Sequence, residues 1–150
     1  MILSATGVAG LDVRGGALVT GGGAPLRFVL PPDDGLGYEE RAFRRGEVAT
    51  RPGNRHDFFN ALVWLAFPRS KAVINRRHLE ALAVANARGK VGRGALRDAL
   101  TQFDECGVVV AGCSPDLWQA LCAHRWREVF VDRRGELLRS TRFIIFGHAS

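Results

Sequence analysis

From Asn54 to Phe67 the chain reads Asn-Arg-His-Asp-Phe-Phe-Asn-Ala-Leu-Val-Trp-Leu-Ala-Phe, and this stretch constrains the fold more than any other. It is apolar on almost every side of a helical period of about 3.6 residues, the pattern of a central buried helix. Asn54 is a good N-cap, and Asp57 stands where a capping box places its carboxylate. His56, Asn60 and Trp64 share one side, with Asp57 near Trp64, so a polar corner interrupts an otherwise greasy helix.

Breakers on either side extend the pattern. Pro68 is expected to end the first helix, and Ser70 to cap a second over Lys71–Arg88 that stops at Gly89. On it Ile74, His78, Ala81, Leu82 and Ala85 form a stripe, which makes His78 a hydrogen-bonded core residue rather than a ligand. A third helix, Ala95–Cys106, carries Leu96, Ala99, Leu100 and Phe103 on one side. Ser114-Pro115 opens a fourth, with Leu117, Trp118, Leu121 and Cys122 at helical spacing. Leu26–Leu30, closed by Pro31-Pro32, reads as an edge strand, and Val108–Val110 as a short strand. Residues 33–53 read as polar connecting chain, and Leu137–Ala149 leaves helix and strand undecided. The expectation is a mainly α, or α+β, fold. Residues 1–25 form a Gly-rich segment of turn or linker chemistry, since Gly21-Gly22-Gly23 leads into Ala24-Pro25 rather than a helix. Residues 26–150 form a single globular domain. Phe59, Leu62, Val63, Leu82, Leu100 and Phe103 are expected to be buried.

Charge is unevenly placed. The net charge is +6, but residues 1–50 carry five Arg against six acids, and residues 51–150 carry sixteen Lys or Arg against nine. A basic second part favours nucleic acid or another anionic partner, with Arg51, Arg55, Arg76, Arg77, Arg88 and Arg93 as the face to examine and Trp64, Trp118 and Trp126 available for stacking. Only Lys71 and Lys90 are lysines, and an excess of Arg, Ala and Gly is also what a GC-rich genome imposes, so a solvated surface competes with this reading. Cys106, Cys113 and Cys122 cannot all pair with one another, and their spacing to His124 matches no common zinc pattern; they are expected to be small buried hydrophobes. The longest apolar run, Ala61–Phe67, is too short for a membrane span, and the first cation, Arg14, follows Asp12 rather than opening a signal peptide. A cytoplasmic protein with no membrane association is expected.

Four ordered motifs stand out: HDxFNxLxW at His56–Trp64, FPxxKxxxNxxH at Phe67–His78, RDxLTxFDExG at Arg97–Gly107, and FGHA at Phe146–Ala149. Over about residues 38–149 the chain resembles an uncharacterised bacterial family, domain of unknown function 3025. The resemblance implies membership and brings no established activity with it. Members typically continue past FGHA, so the chain reads as a short form or a C-terminally truncated fragment.

The motif residues have a chemistry of their own. His56, Asp57, Asn60, Asp98, Asp104 and Glu105 form a catalytic inventory, and His56, Asp104 and His148 a ligand set for a divalent metal. Such a metal activates water against a phosphoester or nucleic-acid-like substrate, with Arg51 or Arg97 binding the phosphate. A metal-assisted hydrolase is therefore the first functional expectation, and a non-catalytic Arg-rich binding module the second. The competing structural account makes Asp57 a cap, pairs Asp104 with Arg97 across a helix edge, and leaves Asp98 and Glu105 in solvent. His56 and Asn60 separate the two accounts: a functional pair borders a cleft, and a structural pair is buried against backbone. No serine lies in a nucleophile elbow.

Overall fold

The computed structural model describes residues 18–89 and 92–149; the N-terminal part of the Gly-rich segment and Lys90 lie outside them. The mainly helical α+β class expected from the sequence is borne out. The described residues up to Cys106, joined by those from Gly147, form one compact unit, and Gly107–Phe146 form another. No helix among the described residues is long and apolar enough to cross a membrane.

The first unit opens with strand β1 (Arg27–Val29), helix α1 (Tyr38–Arg45) and strand β2 (Glu47–Ala49). The two strands pair in parallel with Phe28 opposite Val48, and both side chains are buried. Helix α1 and β2 occupy the region read as connecting chain. The helix is stabilised at its ends, with Glu39 and Glu40 in its first turn and Arg44 and Arg45 in its last, each opposing the helix dipole. It stops at Gly46, whose φ of 71° is the left-handed conformation of a helix terminus and whose α-carbon lies against the Pro25 carbonyl. Hydropathy hides α1 because a buried position is an arginine. Arg41 is almost wholly enclosed and is neutralised by Asp34 and by Glu47 Oε2 at 3.0 Å.

Helix α2 (Arg55–Ala66) begins where expected, with Asn54 Oδ1 accepting from Asp57 N at 3.0 Å. Helix α3 (Pro68–Ala87) departs from expectation at its start. The preceding helix ends before Pro68 as expected, but Pro68 is also the first residue of α3, and Ser70 lies inside that helix rather than capping it. Proline suits that position because its missing N–H would have had no helical acceptor. Helix α4 (Gly94–Cys106) lies close to its expected span.

The buried surfaces of these helices differ from the expected ones. On α2 the buried stripe is Asp57, Asn60, Ala61 and Trp64; on α3 it is Lys71, Ile74, Asn75 and His78; α4 has no fully buried residue. Of the six expected core residues, Leu62, Val63, Leu82 and Leu100 are half-buried, and Phe59 and Phe103 are each 39% exposed. Hydrogen bonding explains the inversion, because most of these polar residues find partners in the interior: Asn60 with Lys71, Asp57 with Arg51 and Asn75 with Glu39. The apolar core of this unit is Leu26, Phe28, Ala42, Val48, Ala61 and Trp64.

In the second unit, strand β3 (Val108–Ala111) pairs antiparallel with β4 (Arg142–Ile145). Helix α5 (Pro115–Cys122), a π-helical turn at Glu128–Asp132 and helix α6 (Arg134–Ser140) lie between them. Leu117, Ala120, Val129 and Leu137 form its core, while Trp118 and Trp126 are exposed. Ser114 caps α5 and donates to Glu136 Oε1 at 2.7 Å. The undecided C-terminal stretch divides between the end of α6 and β4. Of the cysteines expected to be buried hydrophobes, Cys113 is half-buried against this unit's core, whereas Cys106 and Cys122 are exposed; all three are free thiols.

These caps have opposite consequences for two conservative substitutions. Asn54→Ala removes a real cap and lowers unfolding free energy by about 1 kcal/mol. Ser70→Ala, at an exposed position within a helix, stays within about 0.5 kcal/mol of the parent. Paired urea melts measure both, and equal losses would contradict the assignment of the caps.

Candidate functional site

The polar stripes of α2 and α3 meet one end of α4. Lys71 is the central group, its side chain 3% exposed. Its ammonium donates to Asn60 Oδ1 at 2.8 Å and to both Asp104 oxygens at 2.7 and 2.8 Å, and lies 5.4 Å from the centre of the Trp64 ring. Asn60 in turn donates to the Tyr38 hydroxyl at 2.8 Å, which also accepts from Trp64 Nε1 at 3.1 Å. Burial pushes the Tyr38 phenol up, so it stays protonated.

The last turn of α4 is closed by the segment Gly147–Ala149. His148 Nδ1 donates to the Asp104 carbonyl at 2.8 Å, and Ala149 N donates to the Glu105 carbonyl at 3.0 Å. Both are main-chain acceptors in the last turn of a helix, where partners within the helix run out. Gly147 makes the approach possible, since a Cβ there would lie 2.6 Å from Cys106 Cα. The buried His148 is therefore held by one nitrogen, and its Nε2 faces Glu105 Oε1 at 3.9 Å. Burial, reinforced by the charge of Lys71 and opposed by Asp104 and Glu105, lowers its pKa and favours the neutral ring.

His56 approaches the same carboxylate from α2. Its Nδ1 donates to Asp57 Oδ1 at 3.3 Å, and its Nε2 is 3.3 Å from Glu105 Oε2. The ring is 46% exposed and lies 4.6 Å, centre to centre, from that of His148. Asp57 is fixed from behind, accepting from Arg51 N at 2.9 Å and from Arg51 Nε and Nη2 at 2.8 Å each. That bidentate grip, partly offset by burial, lowers the Asp57 pKa to about 2. Asp57 thus caps no backbone group of Asn54; it anchors Arg51 and orients His56. One ligand atom each from His56, Glu105 and His148 lie within 4.8 Å of one another.

These groups line a cleft of about 510 Å³, together with Tyr38, Glu39, Arg51, Asp57, Asn60, His78, Arg93, Thr101 and Asp104. The expected residues His56, Asp57, Asn60, Asp104, Glu105, His148 and Arg51 are thus brought together, and both His56 and Asn60 border the cleft. Asp98 is not among them: its side chain is 65% exposed and faces Arg93 Nε at 3.6 Å. Arg97 does not line the cleft either, and its Nε is buried without a hydrogen-bond partner. The expected Asp104–Arg97 pair is replaced by Asp104–Lys71, because the buried ammonium is the closer cation. Asp104 consequently has both oxygens engaged, and Glu105 is the carboxylate that faces the histidines. His78, expected to be hydrogen-bonded in the core, is buried but leaves Nδ1 without a hydrogen-bond partner.

Sequence reasoning did not assign Lys71, Tyr38, Glu39 or Thr101 to the site. Lys71, Asn75 and His78 carried a usable signal, since polar residues at i, i+4 and i+7 in FPxxKxxxNxxH share one helical face. Tyr38 and Glu39 had none, because α1 was not foreseen.

The chain is thus a helical α+β protein with a cleft lined by histidines and carboxylates. Residues 26–150 match the model of the family described as Protein of unknown function (DUF3025), and the chain belongs to that family. Searches of the curated proteins and of the solved structures found no match.

Lys71 and Asp104 yield a testable asymmetry. Lys71→Met leaves a largely enclosed carboxylate without its cation and lowers stability by about 3–5 kcal/mol. Adding Asp104→Leu removes that carboxylate and restores at least about half of the loss. A double-mutant cycle of chemical denaturation reads the coupling, and strictly additive losses would show that the pair is not an energetic unit.

Proposed function

We propose that this protein is a metal-dependent hydrolase in which His56, Glu105 and His148 hold one divalent cation and a phosphoester is the bond broken. The observation that carries the reading is the orientation of the two imidazoles. Each has its Nδ1 tied back, to the Asp57 carboxylate and to the Asp104 carbonyl, and each directs Nε2 at Glu105. A histidine donating from one nitrogen to a carboxylate or carbonyl presents the other as a metal ligand of fixed direction. Two imidazoles and one carboxylate leave coordination positions for water and substrate.

A bound divalent cation supplies Lewis acidity and a water that ionises near neutral pH. The chain's own groups do the rest. Asp57, clamped by Arg51, holds the His56 ring in place. Arg51 uses Nε and Nη2 on Asp57 and keeps its other N–H donors for a phosphate oxygen at the cleft wall. In the reaction the water oxygen forms a new bond to phosphorus, and the P–O bond to the alcohol breaks with its electron pair. One water proton ends on the alcohol oxygen. A small phosphoester suits the site better than a nucleic-acid polyanion. Four of the six arginines considered for a nucleic-acid face already pair with acids: Arg51 with Asp57, Arg76 and Arg77 with Glu80, and Arg93 with Asp98. Three free thiols suit a reducing compartment, in keeping with a cytoplasmic site of action.

Calorimetric titration with zinc and with manganese tests the centre. One saturable site is expected, with affinity falling at least about tenfold in His148→Ala and Glu105→Gln and unchanged in Asp98→Asn. His56→Ala should abolish the same binding while changing stability by less than about 1 kcal/mol, because its ring is half-exposed. Absence of saturable binding by either ion would overturn the reading. Metal-dependent release of nitrophenol from p-nitrophenyl phosphate, lost in Glu105→Gln, tests the hydrolytic step separately.

A further inference from the structure

Four carboxylates line the cleft, and three are accounted for. Asp57 is held by Arg51, Asp104 by Lys71, and Glu105 faces the two histidines of the proposed centre. Glu39, in the first turn of α1, has no lysine or arginine partner among the described residues. Its Oε2 accepts from Asn75 Nδ2 at 2.7 Å, which fixes the carboxylate, and its Oε1 lies 4.0 Å from His78 Nε2. His78, 3% exposed on the buried stripe of α3, also lines the cleft. Its Nδ1 is one of three buried side-chain polar atoms without a hydrogen-bond partner among the described residues. A fixed carboxylate without a countercharge and an orphaned imidazole nitrogen on the same wall call for a ligand that brings hydrogen-bond donors.

We propose that Glu39 and His78 form a hydroxyl-binding subsite, so that the substrate of the cleft is the phosphate ester of a polyhydroxylated alcohol such as a sugar. The inference rests on the phosphoesterase reading above and names its substrate class. Burial, opposed mainly by the charge of Glu39, favours the neutral His78 ring. A neutral imidazole keeps one ring nitrogen as an acceptor, so beside the Glu39 carboxylate the pair presents acceptors to hydroxyl hydrogens. A cationic amine is the alternative donor. The charges of Arg93 and Arg97 act on His78 and disfavour it, while leaving neutral hydroxyls unaffected. Recognition of this kind discriminates strongly, because an analogue without hydroxyls leaves the buried His78 nitrogen unpaired and the half-buried Glu39 carboxylate without a second donor.

The test compares D-ribose 5-phosphate with n-pentyl phosphate, which have the same carbon count and differ in hydroxyls, by calorimetric titration of the full chain. The sugar phosphate should bind at least about tenfold more tightly. Glu39→Ala and His78→Phe should each bring the ratio toward one, an outcome in which any change common to both phosphates cancels. Glu39→Ala is the safer variant for folding, since Asn75 Nδ2 keeps its bond to the Glu39 main-chain oxygen at 2.8 Å. Equal affinities, no binding of either phosphate, or a ratio that survives Glu39→Ala would each overturn the subsite. Repeating the titrations with EDTA and with zinc separates the two readings. A hydroxyl preference without zinc binding supports the subsite and removes the metal centre; zinc binding with a ratio of one does the reverse.

Discussion

The buried ammonium of Lys71 is the interaction on which the rest of this architecture depends. An ammonium has three N–H donors, and Asn60 together with the two Asp104 oxygens supplies three acceptors. The bonds join α3 to α2 on one side and α4 on the other. They also fix the rotation of α4 at its C-terminal turn, and with it the direction of the Asp104 carbonyl that receives His148. A buried pair of this kind contributes little net stability, because desolvation offsets most of its attraction. Its effect here is geometric: with the ammonium satisfied in one way only, the helices have one mutual arrangement. The positions of His56, Glu105 and His148 follow from that arrangement.

This ordering explains what the sequence made legible. The three long helices could be placed because their boundaries are local chemistry: Asn54 caps one, glycines limit the others, and the period between them is clear. Helix α1 could not be placed, because it buries Arg41 through ion pairs to Asp34 and Glu47, and neither hydropathy nor periodicity registers a neutralised arginine as core. The inverted surface of α2 has the same origin. Hydropathy assigns Asp57 and Asn60 to the outside and Phe59 to the inside. Hydrogen bonds to Arg51, Tyr38 and Lys71 reverse the assignment, because each polar group meets a partner that repays its desolvation.

The site was legible as an inventory and not as an arrangement. Asp104 and Glu105 are neighbours, and about 100° of helical rotation separates their side chains. One therefore faces Lys71 and the other the histidines, but the choice between them is set by where α3 brings its ammonium. Asp98 sits seven residues before Glu105, so on a straight helix it lies about 10 Å away along the axis and cannot share a coordination sphere. His148 became interpretable only with Gly147 seated against Cys106, a contact that no spacing within the FGHA motif reveals.

A unit that places polar groups at its centre must put apolar ones elsewhere, and here they are carried on the flanks of α2 and α4. Phe59, Leu96 and Phe103 remain substantially exposed while Asp57, Asn60, Lys71, Asn75, His78 and His148 are enclosed. Burial of a large apolar side chain is worth about 1.5–3 kcal/mol, more than a typical hydrogen bond contributes net. An arrangement selected for stability alone would therefore have exchanged the two sets. The polar interior is the less stable solution, and it is compensated by near-complete hydrogen bonding at all but a few atoms. Two of those atoms, on His78 and Asn75, belong to groups packed around Glu39. Residual dissatisfaction is thus concentrated beside the Glu39 carboxylate, and the departure from an optimal core falls at the wall of the cleft.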